Sequence, residues 1–312
     1  MSILRTCGLC FVVWASGICR GDILVHPPHL ITEETRAELR ISAPDLANEG
    51  LRWRVGMKNA TLGEGTLRVD ADGEARLILD MPALRAGEPL PLTLLVSGPD
   101  PARVLSETRL WVFPKDPLRD IKARLRARSL RLYDPEGGTE AWLKGMEVPY
   151  EQIFDALDAA DGVLLVGEGV SFDTHSELAG KLRRLAASGV VVLCLRPRDG
   201  LADLLDPDTG PVPSTWTLSS EAFFTDLDPR LLGSGLVFQN FKPVADEERV
   251  RFNLHARTGW PWAEFHYPGG GVLAFCGAEL TDPDVASPAP AVLLKALLRY
   301  LDSTHQPKGK KP

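Results

Sequence analysis

Cysteine is scarce in this chain. Of five in 312 residues, Cys7, Cys10 and Cys19 lie within the first twenty, which leaves Cys194 and Cys276, each inside an apolar run. Two cysteines cannot build a disulfide scaffold, and their setting is that of small buried hydrophobes. Positive charge is also short: 35 Lys and Arg stand against 42 Asp and Glu, a net charge of −7. That balance excludes a general nucleic-acid binder, which needs a basic face. The apolar run Cys7 to Ile18 is about a dozen residues, whereas a helix needs about 20 to cross a bilayer. Metal-ligand spacing is missing too. His255 and His266 have no carboxylate at a suitable offset and read as ordinary strand residues, so no metal and no cofactor are expected.

What is present at the start is an export signal. Arg5 supplies a positive n-region, the apolar run follows, and Ala15, Ser16 and Gly17 are the small residues of a cleavage zone. Cleavage falls after Gly17 or Gly21. Cys19 invites lipidation, but Ser16-Gly17-Ile18 is a poor lipobox. Residues 1–21 are therefore assigned to a signal peptide, and the mature chain is expected outside the cytoplasm with no stable membrane span.

From 22 to 114 the apolar residues alternate. Ala37, Leu39 and Ile41 form one set, Leu51, Trp53 and Val55 another, then Ala75, Leu77 and Leu79, and later Leu90, Leu92 and Leu94. Turn signals such as Asp70-Ala71-Asp72-Gly73 separate them. About seven short strands at this spacing suggest an immunoglobulin-like β-sandwich. Pro114-Lys115-Asp116-Pro117 opens a basic linker, 115–128, read as a solvated face around Leu118, Ile121 and Leu125.

Residues 129–302 read as an α/β domain with a mostly parallel sheet, and 303–312 as a disordered tail. The domain centres on Gly162–Leu195. Val163–Val166 and Val190–Leu195 are apolar on both faces, as in a parallel sheet covered on each side. Between them Thr174 and Glu177 fit a capping box, and Leu178, Leu182, Leu185 and Ala186 share one helical face ending at Gly189. Further helices are expected at Thr139–Gly145, at Tyr150–Ala160 with Ile153, Leu157 and Phe154 inward, and at Ala289–Leu301. A hairpin is expected around Pro268–Gly271, and Arg198 to Phe224 reads as loop.

Three stretches carry a family resemblance: Asp161–Gly167 with Ala187–Leu193, Gly269–Leu280 with the helix ending Arg299-Tyr300-Leu301, and Leu110–Pro114. With them the second domain resembles the class I glutamine amidotransferase-like group, a flavodoxin-like fold. More narrowly, it is similar to the non-catalytic version following an Ig-like sandwich at the C-terminal end of some bacterial glycoside hydrolase family two proteins. The resemblance covers most of 90–302. It implies a carbohydrate-associated role without amidotransferase chemistry, because Cys194 lies between Leu193 and Leu195 with no strained elbow, and no His-x-Glu pair accompanies Cys276.

Gly167-Glu168-Gly169 begins like a dinucleotide loop, but Phe172 holds the third glycine position. The loop follows a parallel strand, where open sheets bind ligands, so Asp134, Glu168 and His175 are the candidates to line a pocket. Trp216, Trp260 and Trp262 are candidates to stack on sugar rings. The expected function is a secreted, non-catalytic binding or assembly module whose partner is a carbohydrate or a cell-surface protein. The alternatives are a glycoside or amide hydrolase with a site near Glu168 and His175, and a structural protein of the cell surface.

Overall fold

The computed structural model describes residues 23–26, 31–58, 60–84, 87–98, 100, 103–156, 162–220, 236–245, 249–281 and 288–304. The proposed signal peptide, Leu157 and Ala160, the segment at Phe224 and the tail Lys308–Pro312 lie outside them. The chain divides into two compact units, one comprising Met1–Met81 with Pro91–Val112, the other Pro82–Leu90 with Phe113–Pro312.

The first unit is built of strands β1 (Leu24–His26), β2 (Ile31–Thr32), β3 (Arg36–Ser42), β4 (Gly50–Met57), β5 (Ala60–Arg68), β6 (Glu74–Asp80), β7 (Leu90–Ser97) and β8 (Val104–Phe113). They form a three-stranded sheet, β1-β3-β6, and a five-stranded sheet, β2-β8-β7-β4-β5. The alternation in the sequence translates directly into burial. Ala37, Leu39 and Ile41 are buried on β3, and Ala75, Leu77 and Leu79 opposite them on β6, while the intervening charged residues are exposed.

The second unit holds α1 (Lys122–Ala127), β9 (Leu130–Tyr133), α2 (Gly138–Gly145), β10 (Glu151–Ile153), β11 (Val163–Val166), α3 (Leu178–Ala187), β12 (Val191–Leu195), β13 (Leu201–Ala202), β14 (Thr215–Ser219), β15 (Asn240–Ala245), β16 (Val250–Ala256), β17 (Trp262–His266), β18 (Val272–Cys276) and α4 (Ala289–Thr304). Its main sheet has seven strands in the order β10-β9-β11-β12-β18-β17-β14. From β10 to β18 the neighbours are parallel; β17 and β14 then run antiparallel. The hairpin around Pro268–Gly271 is the β17–β18 pair.

This organisation corrects the α/β, flavodoxin-like assignment. Strand makes up 44% of the structure and helix only 17%, and the main sheet is mixed. The physical reason lies in what covers the sheet. One face is packed by Leu118, Ile121 and Leu125 from the α1 region, Leu143 of α2 and Leu293, Leu294, Leu297 and Leu301 of α4. The other face has Leu178, Leu182 and Leu185 of α3, but beside them Phe241, Phe252 and Leu254 come from a second antiparallel sheet, β13-β16-β15. Strands thus stand where a doubly wound fold has a helix.

Three local expectations also fail. Tyr150–Ala160 begins as a strand, since β10 pairs in parallel with β9; Ile153 is buried but Phe154 is 85% exposed. The capping box is not made, because α3 starts after Glu177 with no side-chain cap. Instead the Thr174 N–H donates to Ser171 Oγ at 3.0 Å, in a turn that precedes the helix. The stretch expected as loop supplies β13 and β14, and β15 has Pro243 within it. Proline is tolerated there because β15 is an edge strand.

Candidate functional site

The chain order of the parallel strands reverses at β9: β10 lies on one side of it and β11 on the other. Crevices outside the C-terminal ends of parallel strands at such a reversal are where ligands fit, because neighbouring connections leave in opposite directions. A groove of about 330 Å³ opens here. Tyr133 ends β9, Phe154 and Asp155 follow β10, and Thr174, His175 and Ser176 precede α3, whose Lys181 reaches back into the groove. Lys181 Nζ lies 3.2 and 3.3 Å from the two Asp155 oxygens. The Tyr133 and His175 rings meet edge to face at 6.4 Å. Burial pushes the Tyr133 phenol above its usual pKa, with a smaller opposing pull from Lys181. The groove therefore offers hydroxyls, an imidazole, an ion pair and one exposed aromatic ring.

Of the three pocket residues expected from the sequence, only His175 lines this groove. Asp134 is 6% exposed, with one oxygen accepting the Glu140 N–H at 2.8 Å at the start of α2. Its other oxygen rests against Gly167, where a Cβ would collide with the carboxylate. The glycine of the dinucleotide-like loop is thus needed for close packing. Glu168 is 8% exposed. Its Oε2 accepts the Leu280 N–H at 3.0 Å, the Thr281 N–H at 3.0 Å and the Thr281 hydroxyl at 2.8 Å. Its Oε1 lies 3.5 Å from Arg196 NH1, which is also 2.6 Å from Glu279. Glu168 works as a latch between the end of β11 and the chain leaving β18.

The tryptophans separate as well. Trp262 is 3% exposed, and its indole N–H donates to Glu264 at 3.1 Å, so no ring face is open to a sugar. Trp216 is 43% exposed but packs on Phe252 and Phe265 as the lid of an aromatic cluster. Trp260 is partly exposed beside a backbone bridge to Phe241. Sequence reading missed Tyr133, Phe154 and Lys181. Reading Glu151–Ile153 as a strand would have found Phe154, because its position then falls at a strand's C-terminal end.

Cys194 and Cys276 are free and buried. Burial pushes the Cys276 thiol up to about 12 and the Cys194 thiol well above its ordinary value. Neither is a nucleophile at neutral pH, because the thiolate is the reactive form. With Cys7, Cys10 and Cys19 replaced by serine, a thiol reagent is expected to label the native chain at least about tenfold more slowly than the denatured chain. Equal rates would mean that a sulfur is accessible. Among the described residues no group of three or more His, Cys, Asp or Glu is placed to hold a metal ion, and no helix is long and apolar enough to cross a membrane.

No known protein family matches the chain, and no curated protein matches it. Among solved structures, a β-glucuronidase of Bifidobacterium dentium complexed with coumarin-3-O-glucuronide aligns over 56% of this chain and 44% of its own, at 8% identity and a TM-score of 0.21. The sulfur carrier protein SoxY from Chlorobium limicola aligns over 30% of this chain and 78% of its own, at 8% identity and 0.21. An engineered protein aligns over 30% and 20%, at 10% identity and 0.21. The chain thus spans less than half the length of the first and last of these. At such scores neither a shared fold nor a shared activity follows.

Proposed function

We propose that the chain is an exported, non-catalytic binding module that takes a carbohydrate in the groove between Tyr133, Phe154 and the start of α3. The observation that carries this reading is an open groove at the strand reversal, lined by hydroxyl, imidazole and ammonium groups beside an exposed ring. Apolar sugar faces stack on aromatic rings, and sugar hydroxyls pair with just such side chains. The reading as a binding module also draws on the buried thiols and on a Glu168 carboxylate already filled by donors. Titration of the mature chain with a panel of neutral mono- and oligosaccharides should perturb the His175 ring resonances. Phe154→Ala should weaken the best ligand about tenfold, or about 1.4 kcal/mol, without altering Tm. If no saccharide binds, or the alanine variant binds equally well, the reading is wrong. Cleavage of glycosides or amides that is lost in Glu168→Gln would replace it with a hydrolase.

A further inference from the structure

A second groove, of about 360 Å³, lies on the five-stranded sheet of the first unit. Strand register sets its contents. Arg52 stands between Thr66 of β5 and Ser97 of β7, and Arg54 between Glu64 and Leu95. All six line the groove, with Trp53 and Val104 beside them. The two-residue period puts both arginines on one face, about 7 Å apart along β4. Both are exposed, and neither makes an ion pair or side-chain hydrogen bond among the described residues. Two cations thus face one carboxylate, Glu64, a locally positive site on a chain of net charge −7.

The occupant follows from the donors available. Arg52, Arg54, Leu95 and Ser97 lie on β4 and β7, interior strands paired on both edges, so this part of the groove offers no backbone ladder to an extended peptide; β5, which carries Glu64 and Thr66, is the sheet edge. Over β4 and β7 the donors are side chains. Guanidinium groups grip carboxylate or sulfate through paired N–H donors, and the exposed Thr66 stands opposite Arg52 on β5 to add a hydroxyl. We infer that the first unit binds an acidic polysaccharide across this face, with Arg52 and Arg54 seating its anionic groups.

The test uses the mature chain with polygalacturonate, heparin and neutral dextran as probes. The chain should bind at least one of the two acidic polymers and release it as salt rises, whereas any binding of dextran should be the same in the parent and in Arg52→Gln/Arg54→Gln. Which acidic polymer binds distinguishes carboxylate from sulfate recognition. Arg52→Gln/Arg54→Gln should weaken binding at least about tenfold with unchanged Tm, and the double lysine variant should retain part of it. Phe154→Ala should leave it untouched, which separates this site from the groove in the second unit. The inference is overturned if neither acidic polymer binds at low salt, if the glutamine variant binds as well as the parent, or if polyglutamate competes equally and makes the partner an acidic peptide.

Discussion

Arg183→Met is expected to destabilise the second unit by about 4 kcal/mol, because it takes the donors from five acceptors at once, the Asp206 carbonyl among them buried. The parent side chain is fully buried on α3. Nε donates to the Pro211 carbonyl at 2.9 Å, NH1 to the Asp203 carbonyl and the Thr209 hydroxyl at 2.6 Å each, and NH2 to the Asp206 and Gly210 carbonyls at 2.7 and 2.6 Å. All five donors of the fork are used, and the loop 203–211 is wrapped around them. Burial lowers the guanidinium's pKa, opposed by Tyr267, Asp206 and Asp203, yet an arginine stays charged. Arg183→Lys, with three donors and no plane, should recover only part of the loss. The measurement is urea unfolding followed by tryptophan fluorescence. A methionine variant with parental stability would mean that the loop holds its own shape.

Lys295→Met is expected to cost about 3 kcal/mol, the low end for removing one partner of a buried ion pair, since its carboxylates are partly solvated. Lys295 is buried on α4, 2.5 Å from the Gly87 carbonyl, 2.7 Å from Asp120 and 3.1 Å from Glu88. Arg299 pairs with the same two carboxylates. Burial alone would raise the Asp120 pKa, but Lys295 and Arg299 more than offset it and hold the carboxyl below its ordinary value. A depressed folded pKa contributes stability above the unfolded value, about 3.9, and loses it as pH falls through the folded value. The gap between parent and variant should therefore be full at pH 7 and shrink below about pH 4. A gap that persists undiminished at pH 2 would rule out the ion pairs as its source.

Legibility in the sequence followed the range of the interactions. Period-two burial on β3 and β6 was readable because each strand has one solvated face. The β11–α3–β12 segment was readable because Val163–Val166 and Val191–Leu195 are apolar throughout. Where tertiary partners decide, the reading failed. Glu151–Ile153 is three residues long, and only the edge of β9 makes it a strand. The cover of Phe241, Phe252 and Leu254 replaces a helix, and no local pattern announces that. His175 was found because it follows a parallel strand. Asp134 and Glu168 follow parallel strands too, but both are buried: one Asp134 oxygen accepts from Glu140 on α2 while the other packs on Gly167, and Thr281 past β18 donates to Glu168.

Cys194 and Cys276 occupy adjacent strands, yet their side chains enter opposite cores of the same sheet. No rearrangement short of melting can bring the sulfurs together. Under oxidising conditions the folded chain thus gains no covalent brace, and each excursion to the unfolded state exposes two thiols that can pair with each other or with another molecule, either bond being incompatible with the fold. Oxidant would act on this protein as a ratchet, turning brief openings into chains that cannot close again.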